Sequence, residues 1–320
     1  MSEVLLSQEV IVYLLSESLL FGLLFVAFII TPLLIKRWNF DAFTQEQFRL
    51  ENRSYLVMSI VFFVMALKIL LLPYFVYTID QLSDIVPGAM CGAGIIKANG
   101  YGNPLLLLKI IILFLSGFWM TLNRLDLEAK AYPYTKRKLW FFLFIFMLLS
   151  IEFALDILYF THIQTTNPVT CCSVIFGQMG GSNALGLDMP MLLLLFYLLF
   201  VLIVLMLWSK NSLGIIVTSL LFLFVAYYSV VYFFGTYIYE LPTHKCPFCM
   251  LQQEYYFIGY LVWGLLLVGV FMSLDYAISR WLWKRDALRL RNFALWALSL
   301  FVLLCSLFVV VYYSKNGVLL

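Results

Sequence analysis

Long apolar stretches, each of about 20 residues or more, alternate with short polar loops along the whole chain. Runs such as Met191 to Trp208 contain no polar alternation at all. A membrane barrel needs outward apolar and inward polar residues in strict alternation, so these runs exclude it. Helices are the remaining way to satisfy the backbone in hydrocarbon. The pattern predicts about eight membrane helices, roughly at 11–35, 54–77, 104–122, 139–160, 190–208, 213–238, 255–275 and 293–313. The expected fold is all-α: a polytopic integral membrane helix bundle in which residues 1–320 form a single membrane domain. No low-complexity tract, soluble domain or sequence repeat interrupts it. The repetition is architectural: three consecutive helix hairpins, each with a cysteine-bearing loop.

Composition sharpens this reading. With 64% hydrophobic residues, 12% charged residues and a mean hydropathy of +0.99, the chain does not read as a soluble domain. Lipid is its expected surroundings. Basic residues sit in short loops beside helix ends and form no basic domain, so nucleic acid is not an expected partner. The segment Met1 to Val10 is acidic, lacks a positive n-region, and does not read as a cleaved signal peptide.

The placement of charge predicts orientation. Lys36, Arg37, Arg49 and Arg53 fall in one loop, and Arg124, Lys130, Lys136, Arg137 and Lys138 in a second. Lys210 lies in a third, and Arg280, Lys284, Arg285, Arg289 and Arg291 in a fourth. The opposite face carries only Lys97, Lys245 and Lys315. Positively charged loops stay cytoplasmic. The expectation is a multi-pass inner-membrane protein with both termini and the loops 78–103, 161–189 and 239–254 outside.

Those outer loops hold the candidate chemistry. Cys91, Cys171, Cys172, Cys246 and Cys249 all fall in them, as do His162 and His244. Only Cys305 lies mid-helix, where a small apolar packing role is expected. An extracytoplasmic face is also where thiols form disulfides. Gly88, Gly92, Gly94, Gly100 and Gly102 around Cys91 predict an irregular loop able to fold back over helix ends. If the loops form one centre, Cys91 and the Cys171/Cys172 pair should approach Cys246 and Cys249. Adjacent cysteines close only a strained ring, so Cys171 and Cys172 are each expected to pair elsewhere.

The sharpest motif is Thr243-His244-Lys245-Cys246-Pro247-Phe248-Cys249-Met250-Leu251-Gln252-Gln253. An apolar run comes closely after it, so the motif is expected to open a membrane helix. Pro247 suits a first helical turn, and Thr243 or His244 could cap the free amides. A helix N-terminus and Lys245 would favour the thiolate, as a reactive dithiol needs. Cys246, nearer the loop, is expected to be the more exposed thiol, with Cys249 one turn deeper.

Cys246-Pro247-Phe248-Cys249-Met250-Leu251-Gln252 resembles the Cys-Pro-Leu-Cys-x-x-Gln-Arg motif of the bacterial DsbB disulfide-forming membrane proteins; Gln253 stands where that family has an arginine. The helix order over 139–275, with Cys171 and Cys172 in a loop and Cys246 and Cys249 before a later helix, resembles the four-helix vitamin K epoxide reductases. Their loop cysteines are separated, whereas these are adjacent. The second resemblance implies a four-helix redox core at 139–275, and the first implies that electrons pass between extracytoplasmic thiols and quinone. They imply catalytic roles for Cys246, Cys249, Cys171 and Cys172; Cys91, outside the stretch they cover, is a further candidate thiol in a catalytic relay to Cys246 and Cys249, and a thioredoxin-like protein is the expected partner outside the membrane.

Two other readings stay open. Met90, Cys91, Cys171, Cys172, His162, Met179, His244, Cys246, Cys249 and Met250 are soft or borderline ligands that suit Cu(I), in a copper-binding or transfer protein served by a copper chaperone. Alternatively, the chain is a non-catalytic assembly subunit with disulfide-stapled loops. Within the spans, Glu152 and Asp156 are spaced for one helix face, and Lys68 and Lys109 lie in outer helix halves. Intramembrane charges mark ion pairs or proton transfer. Glu17 is expected near the outer surface. Tyr227, Tyr228, Tyr232, Phe233 and Phe234 are candidates for packing or for a quinone wall. Both histidines lie outside the predicted spans, which disfavours a membrane cytochrome.

Overall fold

A computed structural model of the chain describes residues 3–39, 44–129, 132–166, 168–169, 186, 188–284 and 287–320. Among these, eight helices are long and apolar enough to cross a membrane, and no strand occurs. They are α1 (Gln8–Arg37), α2 (Gln45–Gln81), α3 (Gly102–Glu128), α4 (Thr135–Thr161), α5 (Met189–Ser209), α6 (Ser212–Tyr239), α7 (Ile258–Trp283) and α8 (Leu288–Asn316).

The chain divides into two compact units. The first comprises Met1–Pro87 and Ile95–Val169, and the second Gly88–Gly94 and Thr170–Leu320. Each contains four of the membrane helices. Grouped by helix order alone, α4 would open a redox core over 139–275. The compact units divide the chain elsewhere, and α4 packs in the first unit against α1 and α3.

In the first unit α1 packs on α2 and α4, and α3 packs on α2 and α4, which closes a four-helix ring. Leu24, Val57, Val61, Val64, Trp119, Phe142 and Ile145 fill its apolar interior. The Trp119 indole donates to the Lys138 carbonyl at 2.9 Å, so its one polar atom is satisfied. The α3–α4 turn is tied by Asp126. It accepts from the Tyr134 amide at 2.7 Å and pairs with the Lys138 ammonium at 2.7 Å.

The second unit is built on the same plan. The turn between α5 and α6 is short: Lys210 takes a left-handed conformation and the Asn211 side chain accepts from the Gly214 amide. Phe196 of α5, Phe222 and Phe234 of α6 and Phe301 of α8 meet in the core, with centroids 5.1–6.1 Å apart. Residues Val230–Phe234 of α6 form a π-helical turn. Such a turn inserts one extra residue into the helix and re-aims the residues beyond it. Tyr239, five residues past this turn, is one of those re-aimed.

Candidate thiol centre

The cysteine motif does not open a membrane helix. Cys246 and Pro247 lie in an irregular segment, Cys249–Leu251 form a single 3-10 turn, and α7 begins only at Ile258. The interruption is at Tyr256 and Phe257, whose backbones are left-handed at φ 54° and 56°. Non-glycine residues rarely adopt that conformation, and it ends helical propagation. The expected support of a long helix dipole for the thiolate is therefore lacking. Pro247 is not in a helical turn, and the residue before α7, Phe257, gives no side-chain cap.

The segment is held instead by side chains from α6 and α7. The Tyr239 hydroxyl donates to the Cys246 carbonyl and accepts from the Met250 amide at 3.1 Å. One phenol thus spans the whole Cys-x-x-Cys turn. The Trp263 indole donates to the Pro247 carbonyl at 3.2 Å. Met250, fully buried, packs on Gly259, where an added Cβ would meet its Cγ at 2.6 Å and its backbone carbon at 2.9 Å. The glycine lets α7 approach the motif this closely.

The loop bearing Cys91 completes the centre. Gly88 turns the chain at φ 81°, and the Gly94 amide donates to the Cys91 carbonyl at 3.1 Å. The Gln252 side-chain Nε2 donates to the Met90 carbonyl at 3.2 Å. Cys91 Sγ then lies 3.5 Å from Cys246 Sγ. The sulfurs of Cys91, Cys246 and Cys249 all fall within 4.8 Å of one another. All three are thiols, and all are buried: Cys91 is 0% exposed, Cys246 2% and Cys249 4%. Cys246 is not the more exposed of its pair, because the Tyr239 clamp draws both ends of the turn inward.

His244 is half-buried, with its ring edge-on to Tyr239 at 4.4 Å. Its Nε2 has no hydrogen-bond partner among the described residues. Desolvation lowers its pKa, so the neutral ring is favoured. Burial, then the nearby Cys249 and Glu254, raise the pKa of Tyr255, whose ring abuts Tyr239 at 4.8 Å. Lys245 places its ammonium 5.3 Å from the Tyr232 ring centre.

His162 belongs to the first unit. It ends α4, is exposed, and uses Nδ1 on the Leu158 carbonyl at 2.8 Å. Cys171, Cys172 and Met179 lie outside the described residues, and Cys305 is buried in α8.

The intramembrane charges gather inside the first unit. Lys68 pairs with Glu17 and Glu152 at 2.8 Å each. Lys109 pairs with Glu152 at 2.6 Å and Asp156 at 2.9 Å. Glu17 is buried among the helices, 3% exposed, where it reaches Lys68. Tyr13, not among the residues that the sequence pattern picks out, is fully buried and touches Glu17, Asp156 and Lys109. Its spacing of four from Glu17 is the one available signal. Tyr239 gives no comparable signal, because its role depends on the π turn.

No family model matches the chain, and neither a curated protein nor a solved structure matches it.

Proposed function

We propose that this chain is a membrane thiol–disulfide oxidoreductase whose centre is the Cys91, Cys246 and Cys249 cluster. One observation carries the reading: three buried sulfurs converge within 4.8 Å, with Cys91 only 3.5 Å from Cys246. That arrangement suits internal exchange. With Cys246 and Cys249 joined as a disulfide, the Cys91 thiolate attacks Cys246 Sγ. A Cys91–Cys246 bond forms, the Cys246–Cys249 bond breaks, and Cys249 leaves as a thiolate that takes up the proton Cys91 gave up. Oxidation state and charge balance within the three residues.

Quinone is the acceptor class this reading implies, and the neighbouring residues suit a flat ring. Trp263 already holds Pro247, and its ring lies 5.7 Å from Tyr227, which is 39% exposed. A bound quinone would supply a two-electron, two-proton acceptor for the dithiol. The three buried sulfurs need an outward relay to a thioredoxin-like protein, and Cys171 and Cys172 are the remaining loop thiols for that role. The reading places the loops on the extracytoplasmic side of an inner membrane, as the charge bias supports.

A soft-metal site is the second reading, favoured by the same three thiols and by the unpartnered Nε2 of His244. Three thiolates around Cu(I) would bury two net negative charges, with Lys245 already held against Tyr232. Burying uncompensated charge is costly, whereas a disulfide and a thiol carry none. This ranks redox above metal.

The test is purification without reductant, acid-quenched alkylation, disulfide mapping by mass spectrometry and elemental analysis. Redox function gives a metal-free protein with one disulfide distributed between Cys246–Cys249 and Cys91–Cys246. Three thiols resistant to a disulfide oxidant, with stoichiometric copper, would establish the metal site instead. A fixed disulfide that reductant and quinone leave unchanged would indicate a structural staple.

A further inference from the structure

The charge cluster of the first unit stands apart from the thiol reading and rests on its own geometry. Three carboxylates and two ammonium groups face one another: Glu17 on α1, Lys68 on α2, Lys109 on α3, and Glu152 and Asp156 on α4. Fully ionised, they leave one negative charge uncompensated inside a membrane bundle. That is expensive, and the least costly remedy is to retain a proton.

The hydrogen bonds show where. Lys109 has three protons and three acceptors: the Tyr13 oxygen at 2.7 Å, Glu152 Oε1 at 2.6 Å and Asp156 Oδ2 at 2.9 Å. Lys68 spends its protons on both Glu17 oxygens and on Glu152 Oε2. Glu152 is therefore satisfied on both oxygens. Among the described residues, Asp156 Oδ1 faces only the Tyr13 hydroxyl, at 3.1 Å, which also lies 3.2 Å from Oδ2. That hydroxyl has one proton but also faces Glu17 Oε1 at 3.0 Å. It cannot serve both carboxylates. A proton on Asp156 Oδ1 resolves the shortage: it donates to the Tyr13 oxygen, and Tyr13 donates to Glu17.

A second observation points the same way. A cavity of about 20 Å³ adjoins the cluster, lined by Tyr13, Glu17, Lys68, Lys109, Glu152 and Ser116 among others. Ser116 is 1% exposed, and its hydroxyl has no partner among the described residues. Half of its lining is apolar, Ile69, Leu72, Phe75 and Ile112 among it, and a cavity of that size has room for about one water at its polar side.

We propose that this cluster is an intramembrane proton-binding site that keeps one exchangeable proton, passed between Asp156 and Glu17 through the Tyr13 hydroxyl. In the transfer, Asp156 gives its proton to the Tyr13 oxygen while Tyr13 gives its own to Glu17 Oε1. One O–H bond breaks and one forms at Tyr13, and net charge is unchanged. A water in the cavity would give the Ser116 hydroxyl a partner beside the cluster. Two ammonium groups within salt-bridge distance disfavour a metal cation, and a proton needs no coordination shell.

Infrared difference spectroscopy on the full chain in lipid tests this through the carbonyl stretch of a protonated carboxyl. The wild type should show one such group at neutral pH, insensitive to sodium. Asp156→Asn and Glu17→Gln each leave two carboxylates against two lysines, so each should fold and lose the band. Tyr13→Phe should keep the band, shifted, and slow its exchange in deuterium oxide. Absence of the band in wild type would overturn the proposal, as would its survival in both carboxamide variants or an unshifted band in Tyr13→Phe. Loss of the band on adding sodium at constant pH would replace it with an alkali-cation site. If Asp156→Asn fails to fold, the wild-type spectrum and Glu17→Gln still decide.

Discussion

At the scale of single residues, the thiol centre rests on side chains that hold backbone in place. Tyr239 satisfies a buried carbonyl and a buried amide at opposite ends of the thiol turn. Tyr239→Phe leaves both unpaired, and each buried unpaired group costs about 1–3 kcal/mol. Thermal unfolding of the variant in detergent should shift down by several degrees, and Cys246 should react faster with a thiol reagent. An unchanged midpoint and labelling rate would mean the phenol is not a clamp. His244 adds a pH dependence. Its pKa is lowered by desolvation, so protonation is penalised in the folded state. The stability it contributes is complete above the ordinary histidine value of about 6.5 and is lost as pH falls below it. Relative to an exposed reference thiol, labelling of Cys246 should therefore rise at mildly acidic pH, and His244→Gln should abolish that relative rise.

These residues also mark the limit of what the sequence tells. Lys68, Lys109, Glu152 and Asp156 are legible because any charge in an apolar run is conspicuous. Tyr13 and the burial of Glu17 are not, since near a span end both residues have ordinary surface roles. Cys246 and Cys249 are legible from spacing alone. The burial of both is not, because it depends on a phenol supplied by a different helix.

At the scale of elements, the eight spans are legible in the apolar runs, and the differences lie at their ends. Helix α2 begins at Gln45 rather than near 54, because Thr44 caps it and the polar turns up to Arg53 continue the helix. Helix α7 begins at Ile258, after the left-handed pair Tyr256 and Phe257. Hydropathy reports neither a cap nor a backbone reversal. The π turn at Val230–Phe234 is equally silent in sequence, yet it sets the direction of Tyr239. Deleting Phe233 should restore regular helix and rotate the residues after it by about 100°. Tyr239 would then leave the thiol turn, and Cys91 should no longer cross-link to Cys246 under mild oxidation. Cross-linking at the wild-type rate would show that the π turn does not position the clamp.

At the scale of the whole molecule, the charge bias predicts which loops lie on which face. Tyr256 is 91% exposed and Pro133 is exposed on a loop of the other set. In a background lacking the native cysteines, Tyr256→Cys should react with an impermeant thiol reagent in spheroplasts, and Pro133→Cys only after lysis. The reverse pattern would invert the chain and place the thiol centre on a reducing face. The most direct test of the thiol centre itself is Cys249→Ser in the full chain, purified without reductant and mapped by mass spectrometry. With its partner gone, Cys246 has Cys91 at 3.5 Å. The proposed exchange predicts a trapped Cys91–Cys246 disulfide that reductant releases and Cys91→Ala prevents. Free Cys91 and Cys246 after exposure to a disulfide oxidant would contradict it.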